Sequence, residues 1–180
     1  QGIDGQTIVY VPTSFSEFHR YGPFRDTPDR LYLAWQDALL EQFPGTIWKG
    51  HPKDYMQALI PRGASQTSRL PLEVFLDIAD TFLFDYVSTA LFLAMATNKP
   101  IVYFDIGLRN ITPSALHFIK QRCIYVNVDP TLPSKLRERV LSVMHTEHEN
   151  LFTAKYSLAN ESDGDDREMV LLRLINRILA

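Results

Sequence analysis

Several short clusters of polar side chains stand directly after apolar runs, and their chemical types suit the binding of an anion. Phe82, Leu83 and Phe84 are followed by Asp85 and then by Ser88 and Thr89. Thr13 and Ser14 follow the β-rich run 7–11, His51 follows the run 45–48 and precedes Pro52, and Asp105 closes the run 101–104. Hydroxyls at the start of a helix accompany free backbone N–H groups and a partial positive charge, which together favour a phosphate. An imidazole that can be protonated near neutrality adds a cation. Each residue also has a plainer role: Ser88 suits an ordinary helix N-cap, His51 a strand end, and Asp85 and Asp105 turns that orient backbone.

The elements that must carry these residues alternate between strand and helix. Strands are expected at 7–11, 45–48, 82–84, 101–104 and 123–128, each a short apolar run of the kind covered on both faces. A helix from residue 29 places Leu31, Trp35, Leu39 and Phe43 on one face at four-residue intervals. A short helix is expected at 54–60 and a polar loop at 61–69. Pro71 suits the first position of the next helix, with Leu72, Phe75, Ile78 and Ala79 toward the core. Residues 91–97 continue as a helix that Asn98, Lys99 and Pro100 stop. Further helices are expected at 114–121, from Pro133 with Leu136, Val140 and Met144 on one face, and at 166–179 with Leu171, Leu174, Ile175 and Ile178 as a stripe. Residues 13–28 and 157–166 read as long loops.

This alternation predicts an α/β fold: a Rossmann-like three-layer sandwich of about five parallel strands, in the order 3-2-1-4-5, with helices on both faces and right-handed crossovers. In such sheets ligands bind outside the carboxyl ends of the strands, near the point where the strand order reverses. Thr13, Ser14, His51, Asp85, Ser88 and Asp105 should therefore lie along one rim.

Composition narrows the function. The 180 residues suit one domain, expected over 7–180, with residues 1–6 either an expression remnant or an interdomain linker. Hydrophobic residues make up 46% and charged ones 22%, which excludes a disordered chain. A net charge of -3 gives no reason to expect nucleic acid. Cys123 is the one cysteine, which excludes an internal disulfide and fits a reducing compartment. No apolar run approaches the roughly 20 residues of a membrane span, so the sequence reads as soluble. No metal site is expected: Asp163, Asp165 and Asp166 lack the spacing of a calcium loop, and His117, His145 and His148 form no ligand pattern.

The runs VYVPT, WKGHP and FDYVSTALFLAMATNKPIVYFD together resemble the carboxyl-terminal domain of GT-B-type transferases, in particular the CDP-glycerol glycerophosphotransferase-like group of surface carbohydrate biosynthesis. The UDP-N-acetylglucosamine 2-epimerases look like more distant relatives. The resemblance covers about residues 7–179. It implies a Rossmann-like half that binds the nucleotide of an activated donor such as a CDP- or UDP-linked substrate, with no other cofactor and no metal. It also implies an amino-terminal acceptor domain outside this sequence, holding the general base, and a cytoplasmic setting at the inner face of the membrane. Peripheral membrane association would run through that other half. Carried over by matching residues, His51 would approach the donor phosphates, Ser88 and Thr89 would bind them at the helix start, Thr13 would border the cleft, and Asp85 would belong to the same turn. Two departures stand out: residues 90–93 read Ala, Leu, Phe, Leu where many relatives carry a ribose-binding Glu, and Ser14, Phe15 and Ser16 follow PT where a basic residue is common, leaving His19 or Arg20 to supply that contact. An epimerase half and a non-catalytic interaction domain of the same fold are the alternatives.

Overall fold

The computed structural model describes residues 7–15, 29–52 and 60–146. Its strands are β1 (Ile8–Val11), β2 (Ile47–Trp48), β3 (Gln66–Thr67), β4 (Thr81–Phe84), β5 (Ile101–Asp105) and β6 (Ile124–Asn127). Its helices are α1 (Asp29–Gln42), α2 (Leu72–Ile78), α3 (Thr89–Met95), α4 (Pro113–Arg122) and α5 (Leu136–Thr146). The six strands form one sheet in the order β3-β2-β1-β4-β5-β6, and every pairing is parallel. The chain is thus a doubly wound α/β sandwich, as the alternation predicts. A two-residue strand inside the expected loop 61–69 takes third place in the chain, so residues 81–84, expected as the third strand, form the fourth and lie beside β1.

Strand alternation divides the core between two faces. Ile8, Tyr10, Trp48, Leu83, Val102, Phe104, Ile124 and Val126 point to one side, where they meet Tyr32, Trp35, Leu39, Leu40 and Phe43 of the α1 segment and Leu136 and Val140 of α5. Val9, Val11, Phe82, Phe84, Ile101 and Tyr103 point to the other, against α2, α3 and α4. The buried stripe of α2 is Leu72, Phe75, Leu76 and Ala79, which is the i, i+3, i+4, i+7 pattern. Ile78, expected toward the core, falls off that stripe and is 54% exposed. Leu31 is half-buried, because the α1 stripe runs through Tyr32 and Gln36 instead.

Helix ends are closed by side chains. Gln42, at the end of α1, donates through Nε2 to the Pro133 carbonyl at 2.6 Å and accepts from the Leu136 N–H through Oε1 at 2.7 Å, tying α1 to the start of α5. That helix begins at Leu136, not at Pro133, because Lys135 adopts a left-handed φ of 55°. Arg122 is buried at the end of α4 and crosses to the end of α3, where Nε donates to the Met95 carbonyl at 3.1 Å and Nη2 to the carbonyls of Thr97 and Lys99. Cys123 is buried. The helix expected at 54–60, the stretch 16–28, Met144's side chain, His145's side chain, His148, the acidic run 163–166 and the helix expected at 166–179 lie outside what is described.

Candidate functional site at the switch point

The strand order reverses at β1: the chain leaves it toward β2 on one side, while β4 returns on the other. Register brings the ends together, with Val11 opposite Phe84 and Tyr10 opposite Trp48. The segments that follow β1, β2, β4 and β5 therefore share the carboxyl edge of the sheet, where ligands of this architecture bind.

Beneath that edge lies a buried polar hub. Asp85 continues β4 by one residue, points to the α1 side and is 1% exposed. Its Oδ2 accepts from the Tyr10 hydroxyl and from Trp35 Nε1 at 2.9 Å, and its Oδ1 accepts from the Tyr32 hydroxyl at 3.0 Å. The Tyr32 oxygen in turn accepts from the Thr13 N–H at 2.9 Å. One carboxylate thus fixes the loop after β1 through a tyrosine on α1. Burying a carboxylate is costly unless donors surround it, and the three donors here meet that need.

Burial, reinforced by the charge of Asp85, holds the Tyr10 and Tyr32 hydroxyls well above the usual tyrosine range, so they stay protonated and donate. Tyr103 is raised chiefly by burial as well. The stability these three phenols carry is complete below pH ~10, where they are protonated in both the folded and the unfolded chain. Above it the unfolded chain releases protons that the folded one retains, which costs about 1.4 kcal/mol per pH unit for each tyrosine. Melting temperatures recorded from pH 8 to 11 should accordingly fall steeply past pH ~10; a profile level to pH 11 would contradict the buried, protonated hub.

On the rim itself, Thr13 and His51 are half-buried and Ser14 is buried. Gly50 delivers His51 there. A β-carbon at position 50 would lie 2.2 Å from the Trp48 ring, so only glycine lets the backbone pass flat over the indole. Ser88 is the N-cap of α3: its backbone is extended, with φ of −142°, and its Oγ accepts from the Leu91 N–H at 3.4 Å. Thr89 opens the helix and is exposed. The four rim residues are brought to one edge, whereas Asp85 lies below it. Asp105 also looks inward: its carboxylate accepts from the Gly107 N–H at 3.0 Å and from the Tyr125 hydroxyl, whose pKa is pushed up to about 12 by burial and then by that hydrogen bond.

Two cations at this edge escaped the sequence reading. Arg109 follows β5, donates through Nη1 to the Val87 carbonyl at 3.2 Å and lies 5.8 Å from the centre of the Tyr86 ring, so it stands beside the Ser88 turn. Lys49 follows β2. Its N–H donates to the Tyr10 carbonyl at 2.8 Å, and its side chain is 9% exposed. Burial lowers its pKa, with the Glu73 carboxylate working in the opposite direction. The available signal was a lysine placed directly after an apolar strand and two residues before His51; a strand end explains it equally well, so it carried no weight.

Fold and rim together define a doubly wound α/β domain with a polar, partly cationic crevice at its topological switch point. No family model matches the sequence, and no curated protein does. Among solved structures the chain is similar to the crystal structure of Arabidopsis thaliana UGT89C1, with a TM-score of 0.49 and 12% identity over 97% of this chain and 44% of that one. It is similar to the same plant protein complexed with UDP at a TM-score of 0.46, with the same identity and coverage. The chain spans less than half the length of these neighbours. A likeness at this level bears on neither ligand nor reaction.

Proposed function

We propose that the chain is the donor-nucleotide-binding half of a GT-B-like glycosyl- or glycerophosphotransferase that builds bacterial surface polysaccharide or teichoic-acid-like polymers. The observation that supports this most is the convergence of Thr13, His51 and Ser88 at the carboxyl ends of three adjacent strands, β1, β2 and β4, around the switch point. A nucleoside diphosphate leaving group gains negative charge as its bond to the donor breaks, and donors fixed in advance toward that charge lower the barrier. His51 supplies an imidazole, and Ser88 and Thr89 supply hydroxyls with the N–H groups of the helix start. Asp85 acts indirectly, by holding Tyr32 and through it the Thr13 backbone. The acceptor hydroxyl needs a general base, which this reading assigns to the acceptor half.

Calorimetric titration of the 180-residue chain with CDP, UDP and GDP tests the reading. One of them should bind, and His51→Ala should weaken it about 10-fold, the cost of a lost charge-assisted hydrogen bond. Ser88→Ala should weaken it less and also lower stability by about 1 kcal/mol through the lost cap. If no nucleotide binds this chain or an intact two-domain form, the transferase reading fails. The interaction-domain alternative, which the apolar residues at 90–93 favour, would then take its place.

A further inference from the structure

The buried charged side chains among the described residues are Lys49, Asp85 and Arg122. Asp85 has three donors. Arg122 has three carbonyls. This fold therefore satisfies the charges it buries, by hydrogen bonds to named groups. Lys49 is the exception among the three: its ammonium has neither a hydrogen bond nor an ion pair with any described residue, although it is more than nine-tenths buried. An unpaired ammonium in that setting costs several kcal/mol. A methionine or leucine would fill the same space without that cost, so a lysine there requires a counter-charge.

Its placement says where the counter-charge comes from. Trp48 points to the α1 side, so Lys49, the next residue of the same extended ladder, points to the side of α2 and α3. The influence of Glu73, on α2, agrees with that direction. Val11 is its neighbour across the ladder on that face, and Phe84 lies beyond Val11 on β4, three residues before the turn that Ser88 caps. Lys49 and the Ser88 turn thus flank the end of β1 from its two sides, on one face of the sheet. Arg109 lies on the far side of that turn with its guanidinium already placed on the Val87 carbonyl.

We infer that Lys49 is an anion-binding residue of the switch-point crevice, and that its counter-ion is a diphosphate group brought in by the ligand. The inference deepens the donor-nucleotide reading and rests on it for the source of the diphosphate, although inorganic pyrophosphate presents the same chemistry alone. Lys49 then neutralises charge at the β2 side of the crevice, opposite the hydroxyls of the β4 side. It also fills the place of the basic residue that is missing after Thr13.

The test titrates the chain with inorganic pyrophosphate and with the nucleoside diphosphate that binds best, comparing Lys49→Met and Lys49→Arg. Lys49→Met should weaken pyrophosphate binding about 10- to 100-fold, and Lys49→Arg less, as expected for a lost charge-assisted contact. Lys49→Met should also melt at or above the wild-type temperature and no longer be raised by pyrophosphate, which a merely structural lysine would not show. Pyrophosphate binding that depends on Lys49 while no nucleotide binds would uphold this residue and sink the donor-nucleotide reading. Nucleotide and pyrophosphate affinities within twofold of wild type in Lys49→Met would overturn the inference and leave that reading standing. Absence of any pyrophosphate binding to the wild-type chain would also overturn it. Should Lys49→Met not fold, the Lys49 side-chain resonance of the labelled wild-type chain gives the answer, because it must shift on adding pyrophosphate, and an unmoved resonance refutes the role.

Discussion

Asp85→Ala should destabilise the chain by about 3–5 kcal/mol, the range for removing one side of a buried, hydrogen-bonded charged group. Two tyrosine hydroxyls and an indole N–H would lose their acceptor in a space that admits no water in the folded chain, since Tyr10, Tyr32 and Trp35 are each 0% exposed. The loss is not shared out to solvent, as it would be at the surface. Asp85→Asn should cost much less, about 1–2 kcal/mol. The amide oxygen can take the place of Oδ2 and keep Tyr10 and Trp35, while the amide nitrogen faces Tyr32. That hydroxyl can then turn its proton to the Thr13 carbonyl, 3.5 Å away. Urea midpoints of the two variants measure the difference. An alanine variant within about 1 kcal/mol of wild type would mean that the hub is dispensable.

Arg122→Met should cost a similar amount, about 3–5 kcal/mol, for a different reason. The methionine fills space, but the carbonyls of Met95, Thr97 and Lys99 lose their donors where α3 ends and the chain turns into β5. For a domain of this size the melting temperature should fall by roughly 6–20 °C. Arg122→Lys should recover only part of the loss, because one ammonium cannot reproduce a planar fork reaching three separated carbonyls. Equal stability of the lysine and arginine forms would show that charge alone, and not the fork, closes that turn.

Much of the fold was legible because parallel strands covered on both faces need continuous apolar runs, and 81–84, 101–105 and 124–127 stand out for that reason. The exception is β3, whose two residues, Gln66 and Thr67, are polar and exposed. Only pairing with β2 makes them a strand, and pairing leaves no local trace. Ile78 misled for a related reason, since a hydrophobic type at a helix end does not say which side of the stripe it occupies. At the site, the rim positions of Thr13, His51 and Ser88 follow from strand ends, which the sequence marks. The hub does not, because Asp85 meets partners 50, 53 and 75 residues away. Lys49 was hidden differently: the unmet need of its ammonium appears only once the burial of its surroundings is known.

The pairing of β1 has a consequence for how the chain is made. Ile8–Val11 precedes both of its neighbours in the sequence, and β4 reaches it only when residues 81–84 exist. During synthesis this strand, with Val9 and Tyr10 destined for complete burial, keeps one open edge and two bare faces while some seventy further residues are added. Refolding from denaturant faces the same delay, since the closing contact must span that length before any of the hub forms. The innermost part of the molecule is therefore the first to be written and among the last to be sheltered.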